Sequence, residues 1–486
     1  MRKPQIISGI CALVTTGLVV GCGSSQTNSN DKSNGGQVSI TLEGPNQWTD
    51  SGTSFGPAWN TLVSDFEKKN PNIKVNLRVM PLASFSTTEA SQIAAGTAPE
   101  IMFNQFTSQS YQLTPLTKYL KQPNPYVPGN KHWLDLFNSQ YYNLNNATVT
   151  GDTGNYYTLP LNVVSIGLYY NQTVFKKSGI QSPPKTFQEL LADCAKLKAH
   201  GYIPFGMTNS QLGLGWTYTT LSSMMLDKYF DKWNWYLPNG KPGKYTSLTI
   251  EDDSRAILTK QLTAQTPEVA ETLQLLKQLS QYFSPGWSGI ADNSGAGVDV
   301  RQFVQGKAAM IWGTNFGYQT IKEGNPNLKF ASIPFPTVTT ATTQLSTNAP
   351  ARYGASIGGT TYVIPSTAKG ENLAAAIKFL QFATSPKENQ KWLQGSSGNS
   401  VIKGASSNPA LQGFVQGSWA EQPRVPGVGG LSPQMNTTFP QLLQGYLLGS
   451  ASLAQTEQKL ESEWMQAAEY NVQQNKNWTG NWTKLG

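Results

Sequence analysis

Residues 155–179, NYYTLPLNVVSIGLYYNQTVFKKSG, decide how the rest of the chain is read. Val163 to Tyr170 is apolar, β-branched and aromatic, the signature of a strand buried on both faces rather than one alternating between core and solvent. Leu159-Pro160 stands just before it. Proline has no backbone donor and a fixed φ, so it belongs at the lip of a central strand and not inside one. Such a lip marks a crossing between two structural bodies. Asn171 then turns the chain, and Lys176-Lys177-Ser178-Gly179 closes a short helix on a C-terminal glycine. The stretch reads as the first of several hinge strands joining two lobes, with a ligand cleft between them. An ordinary strand of one large α/β domain is the alternative that the pattern leaves open.

Upstream, Val38, Ile40 and Leu42 alternate as a first strand. Ala58, Leu62, Val63 and Phe66 mark a helix ended by Asn70-Pro71, and Ile73, Val75, Leu77 and Val79 alternate again. This is a βαβ unit, which implies a parallel pair with a right-handed crossover. A helix over 88–95, stopped by Gly96, leads to a third strand at 100–103. Ligands of open α/β sheets bind beyond the carboxyl ends of strands. Those ends deliver Asn46, Gln47, Trp48 and Asp50 after the first strand, and Asn104 and Gln105 after the third.

Downstream, Thr186 and Glu189 form a capping box for a helix whose face carries Leu190, Cys194 and Leu197, closed by Gly201. Residues 209–230 are rich in Gly, Trp, Tyr and Met and read as a cleft-facing loop before a helix. Residues 237–270 are polar, with scattered prolines, and are open to reading as an inserted excursion. Leu273, Leu276, Leu279 and Phe283 make a core helix, and 301–317 reads as a helix end, a turn at Gly306 and a buried strand. Ile357-Gly358-Gly359 leads into another strand. Ser385-Pro386-Lys387-Glu388 reads as a helix start with Ser385 as cap and Glu388 as reciprocal cap. Helices follow at 439–448 and 454–470. Asn-Trp-Thr at Asn477 and Asn481 has the form of a glycosylation sequon and is read as coincidence, and Asp292 to Gly295 is read as a turn because it lacks calcium-loop spacing.

With 486 residues, the chain suits two or three domains. Only 13% of residues are charged while 11% are aromatic, so the surface suits a neutral polar ligand better than phosphate. The net charge of +8 includes Arg2 and Lys3 of the leader, and the other lysines form no basic run, which argues against nucleic acid as a partner. Residues 1–21 have the anatomy of a secretion signal: a basic pair, an apolar stretch too short for a comfortable span, then a small residue before Cys22. Val19-Val20-Gly21-Cys22 resembles the bacterial lipobox, in which the cysteine receives diacylglycerol. Two acyl chains anchor stably where one does not. Residues 22–37 are then a flexible tether reaching ~20 Å. The expected location is the extracytoplasmic face of the cell membrane. Of the 3 cysteines, Cys194 reads as a small buried hydrophobe, and no pair remains for a disulfide.

Several blocks then line up: WNTLVSDFEKKNPNIKVNL (59–77), AAGTAPEIM (94–102), LTPLTKYL (113–120), the hinge stretch with its following helix, GKAAMIWGTNFG (306–317) and IGGTTYVIPSTAKGENLAAAIKFLQFATSPKENQKWL (357–393). In that order they resemble the family 1 extracellular solute-binding proteins, the carbohydrate receptors of ABC importers. The resemblance implies a two-lobed α/β fold of periplasmic-binding-protein type II, with three interlobe crossings and closure around a sugar. It sets lobe one at 38–158 plus 330–393 and lobe two at 161–328 plus 396–486. It implies an ABC permease as partner, a monomer, and no cofactor. It also implies ligand contacts at Trp48, Asn104, Trp312 or Asn315, and Phe439; Asn315 and Phe439 stand where the family's maltose receptor has tryptophans. Trp216 and Gly358 complete the candidate set.

The chemistry suits such a ligand. A sugar ring has an apolar C–H face for Trp or Tyr and a hydroxyl rim for Asn, Gln, Asp and backbone amides. One Trp face contributes about 2–3 kcal/mol, so two faces with a few hydrogen bonds reach micromolar affinity. The rival readings are a secreted carbohydrate-active hydrolase and a wall-binding lipoprotein. A glycosidase needs two carboxylates facing one bond, and most acids here fall on helices. His132 and His200 are isolated, so neither a triad nor a His-based metal site is suggested.

Overall fold

The structure is a computed structural model that describes residues 36–45, 55–104, 110–144, 154–237, 240–245, 248–289, 297–351, 355–356, 361–415 and 431–485. Its strands are β1 (Val38–Pro45), β2 (Ile73–Met80), β3 (Ile101–Phe103), β4 (Thr158–Pro160), β5 (Val164–Asn171), β6 (Ile203–Gly206), β7 (Ala308–Thr314), β8 (Phe330–Ile333), β9 (Ala355–Ser356) and β10 (Thr361–Val363). They form two sheets. The first has the order β2-β1-β3-β10-β4 and the second β6-β7-β5-β8, with β9 pairing β5.

The first sheet grows from the expected βαβ unit. β1 and β2 are parallel from Val38/Ile73 to Pro45/Met80. Between them, helix Pro57–Lys69 buries Trp59, Leu62, Val63 and Phe66, one stripe at helical spacing. Helix Leu82–Ala95 starts six residues before the sequence suggests and ends at Gly96, whose φ of 70° is the left-handed stop that glycine adopts without strain. The second sheet is built on β5, antiparallel to β7 on one side and β8 on the other. Asn171 ends β5 by capping the next helix, its Oδ1 accepting from the N–H groups of Thr173 and Val174. The Thr186–Glu189 capping box forms as expected, and Leu190, Cys194 and Leu197 are fully buried.

Each sheet has its own core. One gathers residues such as Ile40, Trp59, Phe103, Tyr362, Phe379 and Ile402. The other gathers Leu168, Phe205, Trp312, Leu276, Phe439 and Trp464. The chain leaves the first sheet after Pro160 and enters the second at Val164.

Four expectations are corrected. Lobe one does not resume at 330: Phe330–Ile333 fills the edge of β5, and Phe335, Val338 and Ala351 join the second core, so the return falls between Ser356 and Thr361. Nor does it end at 393, because Val401 and Ile402 still pack in the first core and Phe137 bridges to Ile402. Within residues 237–270, helix Ile250–Leu258 is no surface excursion: it puts Ala256, Ile257 and Leu258 into the second core. Ser385 does not cap its helix. Its hydroxyl donates back to the Phe382 carbonyl at 2.8 Å, and Glu388 accepts instead from Lys391 at 2.8 Å and Lys69 at 3.3 Å. For the lobe bounds a distant surface outcompetes the local partner, whereas at Ser385 the competing acceptor, Phe382, lies only three residues back.

Strand direction then locates the seam between the bodies. β4 ends at the crossing; β10 is antiparallel to both β4 and β3, and β1 is parallel to β3, so β1, β3 and β4 all end toward it. β5 starts from the same seam. β7 is antiparallel to β5 and β6 is parallel to β7, so β6 and β7 also end there. The carboxyl ends of both sheets therefore converge on one cleft line, the place where open α/β sheets take ligands.

Over the second sheet lies the segment Pro409–Val415, where Phe414 stacks edge-on against Tyr169 at 4.9 Å. Gly413 allows this approach, since a Cβ there would fall on the Ser332 carbonyl. Gly413→Ala is expected to cost about 1–3 kcal/mol, read as a lowered urea midpoint at unchanged slope.

Candidate functional site

The seam is lined from one side by the ends of β1, β3 and β4 and from the other by the ends of β6 and β7. Of the candidate residues, Asn46, Gln47, Trp48, Asp50, Gln105 and Gly358 lie outside the described residues, as does Cys22. Asn104 sits where the strand logic puts it, one residue past β3. Its backbone N–H donates to the Thr361 carbonyl at 2.7 Å and its amide to the Thr361 hydroxyl at 3.2 Å. It is half-buried.

Three aromatic candidates turn inward. Trp312 is buried in β7. Its ring stacks flat on Phe335 at 5.4 Å, and its N–H donates to the Thr217 hydroxyl at 2.7 Å. One face and the donor are thereby occupied within the core. Phe439 is fully buried, edge-on to Tyr218 at 4.9 Å. Trp216 opens helix Trp216–Met225, is buried, and meets Trp312 edge-on at 6.2 Å. That helix is buried on every side, which the glycine- and tryptophan-rich sequence masks as a loop signal.

Asn315 is also corrected, and its place matters more. Fully buried one residue past β7, it accepts from the Ser165 N–H through Oδ1 at 2.8 Å and donates its own N–H to the Ser165 carbonyl at 3.1 Å. Its amide nitrogen donates across to the Ser397 carbonyl at 3.3 Å. Ser397 holds a left-handed φ of 56° at the end of helix Pro386–Ser396. Two residues on, Asn399 donates its amide to the Ser165 hydroxyl, and its carbonyl accepts from the Val163 N–H at 2.9 Å. Asn389 donates to the Leu161 carbonyl at 2.9 Å. The next side chain, Phe316, packs against the first core although β7 belongs to the second sheet. Asn315 is thus a strut between crossings. Sequence position alone cannot separate a strut from a ligand contact, because both sit at a strand end.

Sequence reasoning missed Asn209, three residues past β6. Its amide donates to Gln444 Oε1 at 2.7 Å, while its buried Oδ1 finds no donor among the described residues. Thr208 and Ser210 flank it with hydroxyls 2.8 Å apart. The signal that could have found it is the one used for Asn104: a polar side chain just past the carboxyl end of a strand.

A carboxyl pair lies beneath the seam-facing end of β1. Glu43 is fully buried and ion-paired with Arg78, its cross-strand neighbour on β2. Glu89, from helix Leu82–Ala95, faces Glu43. Burial first, and then the Glu43 charge, push its carboxyl from 4.5 up to about 10. One proton is therefore retained inside at neutral pH. Among the described residues no group of His, Cys, Asp and Glu could hold a metal ion.

Comparison with known proteins now assigns the class. The family model described as bacterial extracellular solute-binding protein matches residues 49–390, and the chain belongs to that family. A multiple sugar-binding protein of Streptococcus mutans is 23% identical over 359 residues, 72% of this chain and 74% of that one. The sn-glycerol-3-phosphate-binding periplasmic protein UgpB of Shigella flexneri is 24% identical over 440 residues, 86% of each. A binding protein of Brucella abortus is 27% identical over 290 residues, and the match spans 60% of its length. Among solved structures, apo RafE of Streptococcus pneumoniae superposes with a TM-score of 0.63 at 18% identity, over 90% of this chain and 100% of that one. A chitin oligosaccharide binding protein gives 0.61 at 19% identity, over 89% and 99%. These likenesses bear on the fold, which is the two-lobed α/β type.

Two outcomes follow. Asn315→Ala leaves buried partners unpaired, so stability is expected to fall by about 1–3 kcal/mol, and small-angle scattering to show a broader spread of interlobe separation. A ligand-contact role alone would move neither. For Glu89, the unfolded chain releases its proton near 4.5 while the folded chain keeps it to about 10, so stability declines as pH rises through that window. Glu89→Gln is expected to flatten this decline in melting temperature between about pH 5 and 9.

Proposed function

We propose that this protein is the carbohydrate-binding receptor of an ABC importer. It captures a neutral sugar or oligosaccharide between two closing lobes and hands it to a membrane permease. The observation that carries the reading is the convergence of both sheets' carboxyl ends on a seam crossed by the chain and tied by a polar network. Such a seam can hinge, and a ligand touching both sides favours the closed form by its extra contacts there. Family membership and the sugar-binding relative support the ligand class. The chain acts as a binder, not an enzyme, and as a monomer. It is held by acyl chains on Cys22 at the extracytoplasmic face, with residues 1–21 removed as a signal peptide. The ligand contacts are drawn from Asn46, Gln47, Trp48, Asp50, Asn104, Gln105 and Gly358, with Asn209 added.

The UgpB relative supplies a second ligand class, a phosphate ester, and the test includes it. Melting is followed with a panel of neutral oligosaccharides and with sn-glycerol 3-phosphate. A ligand at a hundred times its Kd adds about 2.7 kcal/mol to the folded state. A shift with an oligosaccharide recovered unchanged is the expected result. A shift with glycerol phosphate alone would overturn the sugar reading, and cleaved sugar would overturn the receptor reading. Trp48→Ala is expected to weaken the active sugar by tenfold or more in calorimetry, about 1.4 kcal/mol.

A further inference from the structure

One region of the second body carries large apolar side chains in the open. Trp235 is 54% exposed, Ile250 48% and Leu485 58%. They come from three segments that pack together. Residues 235–237 pair back on 241–243, with Gly243 N–H donating to the Trp235 carbonyl and Leu237 N–H to the Lys241 carbonyl, both at 2.9 Å. Gly240 lies against Glu251 of helix Ile250–Leu258 and against Asn477 and Trp478 of the tail. The tail is fastened by Trp482, whose N–H donates to the Tyr236 hydroxyl at 3.0 Å.

The exposure is built in. One face of the Trp235 ring lies over the Arg255 guanidinium at 4.3 Å, and Arg255 is itself buried and donates to the Trp233 carbonyl at 3.0 Å. The Trp235 backbone N–H is held by Asp252 at 2.7 Å.

Charge on this face is one-sided. The loop 231–245 and the tail 475–485 expose Lys232, Lys241, Lys244, Lys476 and Lys484 against Asp231. The acids of the intervening helix turn inward. Asp252 is spent on the N–H groups of Trp235, Tyr236 and Thr249. Burial pushes the Glu251 carboxyl up to about 7 and raises that of Asp253 as well.

We propose that this face rests on an anionic lipid bilayer, with Trp235, Ile250 and Leu485 entering the headgroup boundary and the lysines meeting lipid phosphates. Tryptophan favours that boundary because its ring is apolar while its N–H stays hydrated, and each nearby lysine adds attraction to anionic lipid. A soluble acidic polymer would engage the lysines and leave the three apolar groups wet; a bilayer takes both. The inference is independent of the ligand bound at the seam and of acylation at Cys22.

The test uses the chain from Gly23 onward, which contains the whole compact unit Gln37–Gly486 and carries no acyl group. It is sedimented with vesicles of phosphatidylcholine alone or mixed with phosphatidylglycerol. Binding is expected to need phosphatidylglycerol, to weaken with salt, and to fall at least tenfold in Lys241→Glu/Lys244→Glu and in Trp235→Ser, each checked for an unaltered melt. Equal binding to both vesicle types, or variants that bind like the parent, would overturn it. So would loss in the lysine variant with Trp235→Ser unaffected, the pattern of an acidic polymer site.

Discussion

Ser165 holds the molecule's two halves in register. It is the second residue of β5, fully buried, and its backbone and hydroxyl are engaged from both sides: by Asn315 at the end of β7 and by Asn399 from the segment that follows helix Pro386–Ser396. Inside a low-dielectric seam such bonds are strong, and each group left unpaired would cost about 1–3 kcal/mol. An apolar seam would bind the halves without fixing an angle, whereas directional bonds allow rotation about few axes. This is why amides and hydroxyls, rather than leucines, sit where the chain crosses.

The rest of the architecture follows from strands leaving and entering at that line. Because β4 ends there and β5 begins there, the strands that run parallel to β4 in its sheet, β1 and β3, end at the seam, and so do the antiparallel partners of β5. Polar residues just past those ends, such as Asn104 and Asn209, are set at the seam-facing ends of strands without any need for matching sequence. A family with low identity among its members can keep one cleft in this way while changing what the cleft holds.

Aromatic content bears on function less directly than composition suggests. Trp59, Trp133, Trp233, Trp392 and Trp464 are all fully buried, and Trp312 is stacked inside the second core. The tryptophans mostly fill the large cores behind two sheets. A sugar-like composition and a well-filled interior draw on the same residues, so only position can tell them apart.

Local pattern alone determined much of this protein. The Val38–Met80 βαβ unit, the buried strand after Pro160, the Asn171 turn and the Thr186 capping box depend on periodicity, proline geometry and hydrogen bonds within a few residues. These are interactions that neighbours in sequence can settle. Tertiary structure decided which sheet receives Phe330–Ile333, whether Ser385 caps its helix or bonds back to Phe382, and whether Asn315, Trp312 and Phe439 face a ligand or the interior. Ser385 aside, whose competing acceptor Phe382 lies three residues back, those outcomes turn on partners distant in sequence, such as Ser165 for Asn315 and Tyr218 for Phe439, and no local window contains both competitors.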